Sequence, residues 1–186
     1  VTSTATGAPT SPSVTAFGTQ RPGSAVWSQN SPGVPGAAEL DDDFGLSVSV
    51  GDFNGDGHAD VAAGALEGIG SVIHAGSVTV IYGASTGLVS TKAQAWSQNS
   101  AGIAGSAERN DFFGSAVYAA KIRSTSRSDL VIGIPNEDTG TFTDDGAVEF
   151  LRGAAGGLTA TGSQFIDGTG LQSGRHSAVQ MGAALG

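Results

Sequence analysis

Nine consecutive residues, Asp52-Phe53-Asn54-Gly55-Asp56-Gly57-His58-Ala59-Asp60, form a dense run of oxygen donors. With Asp52 as position 1, carboxylate or amide oxygens fall at positions 1, 3, 5 and 9, on Asp52, Asn54, Asp56 and Asp60. The backbone carbonyl of His58 at position 7 can add another oxygen, and Gly57 at position 6 permits a sharp turn. Calcium takes about 6–8 oxygen ligands, and a loop that alternates ligand and spacer can wrap one ion. Without an ion, three carboxylates in so short a loop repel one another. An EF-hand begins with the same spacing but needs a Glu at position 12 and flanking helices. Position 12 here is Ala63, within a run that reads as a strand. That leaves a calcium loop between two strands, its ligation completed by both oxygens of a carboxylate or by water. The competing reading is an Asp/Asn/Gly hairpin that binds nothing, since these residues dominate turns.

The elements that hold the loop occur twice. Trp27-Ser28-Gln29-Asn30-Ser31 returns 69 residues later as Trp96-Ser97-Gln98-Asn99-Ser100, and Phe44-Gly45 returns at the same offset as Phe113-Gly114. Residues 27–66 and 96–135, compared without gaps, share 15 identities in 40. A fixed long period marks one supersecondary unit used repeatedly. In the first unit, Gly45–Val50, Asp60–Gly64, Gly76–Gly83 and Ala93–Ser97 read as strands, by alternation or by β-branched composition between Gly and Ser clusters. In the second, Gly114–Ala119, Asp129–Gly133, Gly146–Gly153 and Gln164–Ile166 follow in the same order. Met181-Gly182 aligns with Phe113-Gly114 and opens a third unit, and Val14–Gly18 is strand-like ahead of the first.

These units predict an all-β fold made of β-propeller blades of four antiparallel strands, with an incomplete ring in this chain. A sandwich of short strands is the alternative, but it does not predict so regular a repeat. The expected divisions are 1–23, a linker and strand remnant; 24–92, the first full repeat; 93–162, the second; and 163–186, the start of a third.

The two loops are chemically unequal. In the second unit positions 1, 3 and 5 are Lys121, Arg123 and Thr125, and only Asp129 is kept. The second loop should bind no calcium, and Lys121 or Arg123 is expected to replace the ion's charge opposite Asp129.

Composition narrows the classes. The 186 residues carry 17 acidic and 8 basic side chains, a net charge of −9, which argues against a nucleic-acid or anionic-membrane surface. Thirty glycines and 13% charged residues suit tight turns between short strands. The absence of cysteine excludes disulfides, thiol chemistry and Cys-ligated zinc. No run is long and apolar enough for a membrane-spanning helix. Val1 in place of an initiator Met points to a processed or cut start.

Other candidate chemistry is sparse. Glu39, Asp41, Asp42 and Asp43 before Phe44, with Glu108 and Asp111 before Phe113, could form a second cation site but read better as solvated turns. Glu137, Asp138, Asp144 and Asp145 flank a Gly/Thr hairpin. His58, His74 and His176 lack metal-type spacing, and no nucleophile elbow or phosphate-binding Gly loop is present. Trp27 and Trp96 could stack on sugars, but a repeated Trp at one blade position is expected in the core.

Phe44-Gly45, the Asp52–Asp60 loop and Gly64-Ala65-Leu66 stand in the order Phe-Gly, calcium loop, Gly-Ala-Pro. Phe113-Gly114 and Gly133-Ile134-Pro135 frame the degenerate loop in the same order. Together they resemble the FG-GAP repeat, the blade of integrin-α-like β-propellers, over roughly residues 24–186. Leu66 departs from the family's Pro. The resemblance implies four-stranded blades around an axis, usually about seven, and a calcium loop joining the first two strands of a blade. It carries Ca2+ ligation over to Asp52, Asn54, Asp56, the His58 carbonyl and Asp60. The chain holds fewer blades than the about four to eight that a ring needs, so remaining blades from the same protein or from other copies are expected partners. The resulting expectation is a calcium-stabilised, secreted or extracellular propeller segment for adhesion or for binding a protein or carbohydrate ligand. It would have no catalytic residues of its own, no nucleic-acid partner and no membrane insertion. The alternative is part of a secreted hydrolase or lyase, or its accessory module, with an active site completed by other sequence.

Overall fold

The computed structural model describes residues 24–168 and 180–185. The strand-like segment 14–18 lies outside the described residues, as does His176. Eight strands follow in order: β1 (Val48–Gly51), β2 (Asp60–Ala65), β3 (Ser77–Ala84), β4 (Gly87–Trp96), β5 (Ala116–Ala120), β6 (Asp129–Ile134), β7 (Ala147–Ala154) and β8 (Gly157–Asp167). They form two four-stranded antiparallel meanders, β1-β2-β3-β4 and β5-β6-β7-β8. There is no α-helix among the described residues.

Each meander follows from local chemistry. β3 and β4 are joined by the two residues Ser85-Thr86, and Gly87, paired with Ala84, takes φ +107°, which favours glycine. β7 and β8 repeat the same connection. β4 and β8 are longer than their sequence patterns suggest. The register slips between Val80 and Tyr82, and again between Phe150 and Arg152, so the first half of each outer strand is separated from the second by a bulge. The polar run Ser90-Thr91-Lys92 at the first bulge masks the alternation.

The repeated Trp-Ser-Gln-Asn-Ser motif is a hydrogen-bonded turn. Ser28 N–H donates to Ser31 Oγ at 3.0 Å, and Ser97 N–H to Ser100 Oγ at 3.0 Å. Asn30 Oδ1 accepts from Ala38 N–H and Asn99 Oδ1 from Ala107 N–H. The turn thus uses the side chains that the two copies share.

The main core lies between the sheets. By register, Ala62, Val78, Val80, Tyr82 and Trp96 share one face of the first sheet. Val117, Leu130, Ile132, Ile134, Ala147 and Leu151 share one face of the second. These residues pack in one cluster with Phe53, Phe113 and Leu158. β1 approaches β5, where Ala119 N–H donates to Ser49 Oγ at 2.9 Å and Ser47 Oγ–H donates to the Gly114 carbonyl at 2.6 Å. A polar bridge closes the outer side: Tyr82 O–H donates to Gln94 Oε1, Gln94 Nε2 donates to the Leu158 carbonyl and Leu158 N–H returns to Tyr82 Oη. Burial raises the Tyr82 hydroxyl to about 12, so it stays a donor.

The sheets approach so closely that backbone meets backbone. A methyl group at Gly64 would overlap the Gly114 carbonyl, and one at Gly133 would overlap the Gly182 carbonyl. Phe113 N–H donates to the Ala75 carbonyl at 2.9 Å, and Met181 N–H to the Asp145 carbonyl at 3.0 Å. Met181 and Gly182 therefore stand against the second sheet as Phe113 and Gly114 stand against the first. Gly64→Ala should destabilise the protein by about 2 kcal/mol or more, because the obstacle is backbone and cannot rotate away. Gly68→Ala, whose Cβ would find only the Val72 carbonyl at 3.4 Å, should cost far less. Urea unfolding of both variants checks this.

Candidate metal centre

The loop between β1 and β2 is built on its own side-chain oxygens. Asp52 Oδ1 accepts from Gly55 N–H at 2.7 Å and Asp56 N–H at 3.2 Å, while Oδ2 accepts from Gly57 N–H at 3.0 Å. Asn54 Oδ1 accepts from Asp56 N–H at 2.8 Å, and Asp56 Oδ1 from His58 N–H at 2.8 Å. Asn54 Nδ2 donates to Asp56 Oδ2 at 2.9 Å. Gly55 and Gly57, at φ +78° and +85°, supply the reversals that make these short bonds possible. The His58 N–H, followed by the Asn54 amide, holds the Asp56 carboxyl below its usual range.

Asp60 has a different environment. It is fully buried, with Oδ2 accepting from Phe53 N–H and Oδ1 from Gly83 N–H, each at 2.8 Å. Burial pushes its pKa up and these N–H groups pull it down. Asp129 makes the corresponding pair of hydrogen bonds in the second repeat, accepting from Arg123 N–H at 2.9 Å and Gly153 N–H at 3.0 Å. Both aspartates brace the loop to the end of the third strand of their sheet.

The structure thus brings Asp52, Asn54 and Asp56 into one hydrogen-bonded ring, leaves His58 exposed, and turns Asp60 inward. Among the described residues no three His, Asp or Glu side chains converge as ligands. The donor set nevertheless suits a hard cation: carboxylate and amide oxygens at a solvent-facing loop, with lone pairs beyond those given to N–H groups. Asp60 could join only through lone pairs not used by Phe53 and Gly83. In the second loop Arg123 does not place its guanidinium on Asp129. It donates to Gln164 Oε1 at 2.5 Å and lies 5.2 Å from the Phe150 ring centroid, while its backbone N–H meets the carboxylate.

Three other carboxyls were not singled out by sequence as buried, and each is displaced upward. Glu137 accepts from Gln98 Nε2 at 2.5 Å, and burial, opposed by that bond and aided by Asp111 and Glu108, brings it to about 7. Burial raises Asp111, which accepts from Glu108 N–H, to about 6. Glu149 on β7 is fully buried between Ile132 and Phe165, and burial raises it to about 7. Ser163 pulls it down slightly, yet the Ser163 hydroxyl donates to the Gly102 carbonyl, and neither Glu149 oxygen accepts a hydrogen bond among the described residues. Among the described residues the Trp96 indole N–H is also buried without a partner. Trp96 packs against the core as expected of a repeated Trp. The periodic recurrence of Gln98 and Glu137 after Gln29 and Glu67 could have flagged that pair. Glu149 stands where the first repeat has Thr79 and gave no signal.

Residues 44–81 match the family model of the FG-GAP repeat. No curated protein matches the sequence.

The raised carboxyls set a pH dependence. A carboxyl whose folded pKa exceeds its unfolded value favours the folded state when protonated, so its contribution falls as pH rises from the unfolded to the folded value. For Glu137 and Glu149 that window runs from 4.5 to about 7. With chelator present, the protein should be more stable at pH 5 than at pH 8. Glu149→Gln should shrink this difference by about 1–2 kcal/mol, as read by urea unfolding at the two pH values.

Proposed function

We propose, from the premise that residues 44–81 are an FG-GAP repeat in an all-β, propeller-type chain, that this protein is a calcium-stabilised segment of an extracellular β-propeller. Its loops would present a surface to a protein or carbohydrate ligand, and neighbouring blades would complete the ring. The observation that carries the calcium reading is the ring of Asp52, Asn54 and Asp56, turned on Gly55 and Gly57 and hung between two strands by Asp60. Asp52, Asn54 and Asp56, with the His58 carbonyl, would hold the ion, and Asp60 would act first as the brace and second as a ligand. The bound cation supplies positive charge that relieves repulsion among the carboxylates and ties the loop closed.

Composition supports the same reading. With no cysteine in the chain, loop closure cannot be stapled covalently, and a cation is the alternative staple. The net charge of −9 is compatible with cation loading. Extracellular calcium is abundant enough to fill a site of modest affinity.

Calcium at about 100 times its dissociation constant should stabilise the fold by ~2.7 kcal/mol, and chelation should lower the melting temperature by roughly 5–10 °C. Asp56→Ala should abolish that calcium increment while leaving stability in chelator nearly unchanged, because Asp56 is exposed. Asp60→Ala should cost about 3 kcal/mol even in chelator, since it orphans two buried N–H groups, and more in calcium, where a ligand is lost as well. Scanning calorimetry of the three proteins, with and without calcium, checks both. An unchanged wild-type melting temperature on chelation would refute the calcium reading.

A further inference from the structure

The second loop has lost its ligands, yet it is not idle: it grips the first. Ser128 N–H donates to the Asp52 carbonyl at 2.7 Å, and Asp52 N–H donates to Ser128 Oγ at 3.3 Å. Arg127 Nε–H donates to the Asn54 carbonyl at 3.2 Å. All three bonds land on the backbone of the two residues that supply the first two oxygen-bearing side chains of the loop. Ser128 is buried in this contact.

Three glycines make the approach possible. A Cβ at Gly51 would lie 2.8 Å from Ser128 Cβ, and one at Gly55 would lie 2.8 Å from Arg127 Nε. One at Gly153, from the second repeat, would lie 2.8 Å from the Phe53 carbonyl and overlap the Ser128 carbonyl. The loops therefore close on one another from both sides. Arg127 and Ser128 occupy positions 7 and 8 of the degenerate loop, where the first loop has His58 and Ala59.

We propose that Arg127 and Ser128 are positioning residues for the cation site of the first repeat, so that cation binding and the seating of the second repeat are one coupled equilibrium. This rests on the calcium reading above. The three bonds fix the backbone at residues 52 and 54, which reduces the conformational freedom that ion binding must remove. Arg127 also brings a positive charge toward the site, which opposes a cation. That repulsion acts at a water-exposed loop and is screened by solvent and salt, whereas the backbone restraint is not. The restraint wins, and removing Arg127 should weaken calcium binding rather than tighten it. Cations would then be retained best when the second blade is seated, and a strained or displaced second blade would release them.

Calcium titrated calorimetrically into wild type, Arg127→Gln and Ser128→Ala tests this, with melting temperatures recorded in calcium and in chelator. Arg127→Gln should raise the calcium dissociation constant about five- to tenfold, and Ser128→Ala about two- to threefold, with the calcium-induced rise in melting temperature shrinking in step. Arg127→Lys, which keeps the charge and loses the Nε–H, should also bind more weakly than wild type. An unchanged or tighter constant in Arg127→Gln would overturn the proposal while leaving the calcium reading intact. Equal losses of melting temperature with and without calcium would assign these residues a merely structural role and overturn it too. If wild type itself binds no calcium, the calcium reading falls, and this proposal with it.

Discussion

The carboxylate of Asp60 accepts from Phe53 and Gly83, and that of Asp129 from Arg123 and Gly153. Each pair of bonds joins the start of that repeat's own loop to the end of the third strand of its meander. A charged acceptor buried with two N–H donors is worth far more than an exposed one, and removing it leaves both donors unsatisfied. This brace is what allows the connection between the first two strands to vary in chemistry without moving the strands. One repeat can then carry Asp52, Asn54 and Asp56, and the other Lys121, Arg123 and Thr125, on the same frame.

With the frame equal, the differences between repeats become a division of labour. The first loop turns its polar atoms onto itself, through the Asp52, Asn54 and Asp56 acceptors. The second bonds within itself through Ser124, Ser126 and the Arg123 N–H, and sends its arginine side chains outward, with Arg123 on Gln164 and Phe150 and Arg127 on the neighbouring loop. Substituting cationic for anionic side chains in the second loop avoids a second concentration of carboxylates a short distance from the first. Like charges so placed would raise one another's pKa and oppose packing.

Much of this was legible in the sequence. All eight strands were, because alternation and β-branched runs were punctuated by Gly, and because the Trp-Ser-Gln-Asn-Ser copies fixed the period. The first halves of β4 and β8 were not, since a bulge interrupts the period of two that makes a strand readable. The oxygen-rich side chains of the loop were legible, but the bracing role of Asp60 was not: a ligand and a brace both want an Asp at the head of a strand, and only the Phe53 and Gly83 bonds identify the brace. The charge of Lys121 or Arg123 was expected opposite Asp129, and Arg123 meets it in another way. Its backbone satisfies that carboxylate, and its side chain is free to cross to Gln164. The buried Glu149 could not be read at all, because a lone Glu in a strand predicts a solvent face, and here that face meets another sheet.

Burial in this fold is a property of the neighbouring sheet as much as of the residue. Val48 and Val117 hold the same place in their repeats, opposite Ala63 and Ile132. Val48 is 58% exposed and Val117 only 8%, because the first sheet covers the second. The same covering traps Glu149 among Leu130, Ile132 and Leu151. Burying a Val, Leu or Ile side chain contributes about 1.5–3 kcal/mol, so two or three of those contacts outweigh the cost of keeping one carboxyl neutral. The interface therefore tolerates Glu149 because its apolar majority decides the balance. The part of the cost that comes from suppressed ionisation appears only as pH rises from 4.5 toward about 7, whereas the unpaired oxygens cost free energy at any pH, which makes the junction between the repeats one place where solution conditions act on the fold.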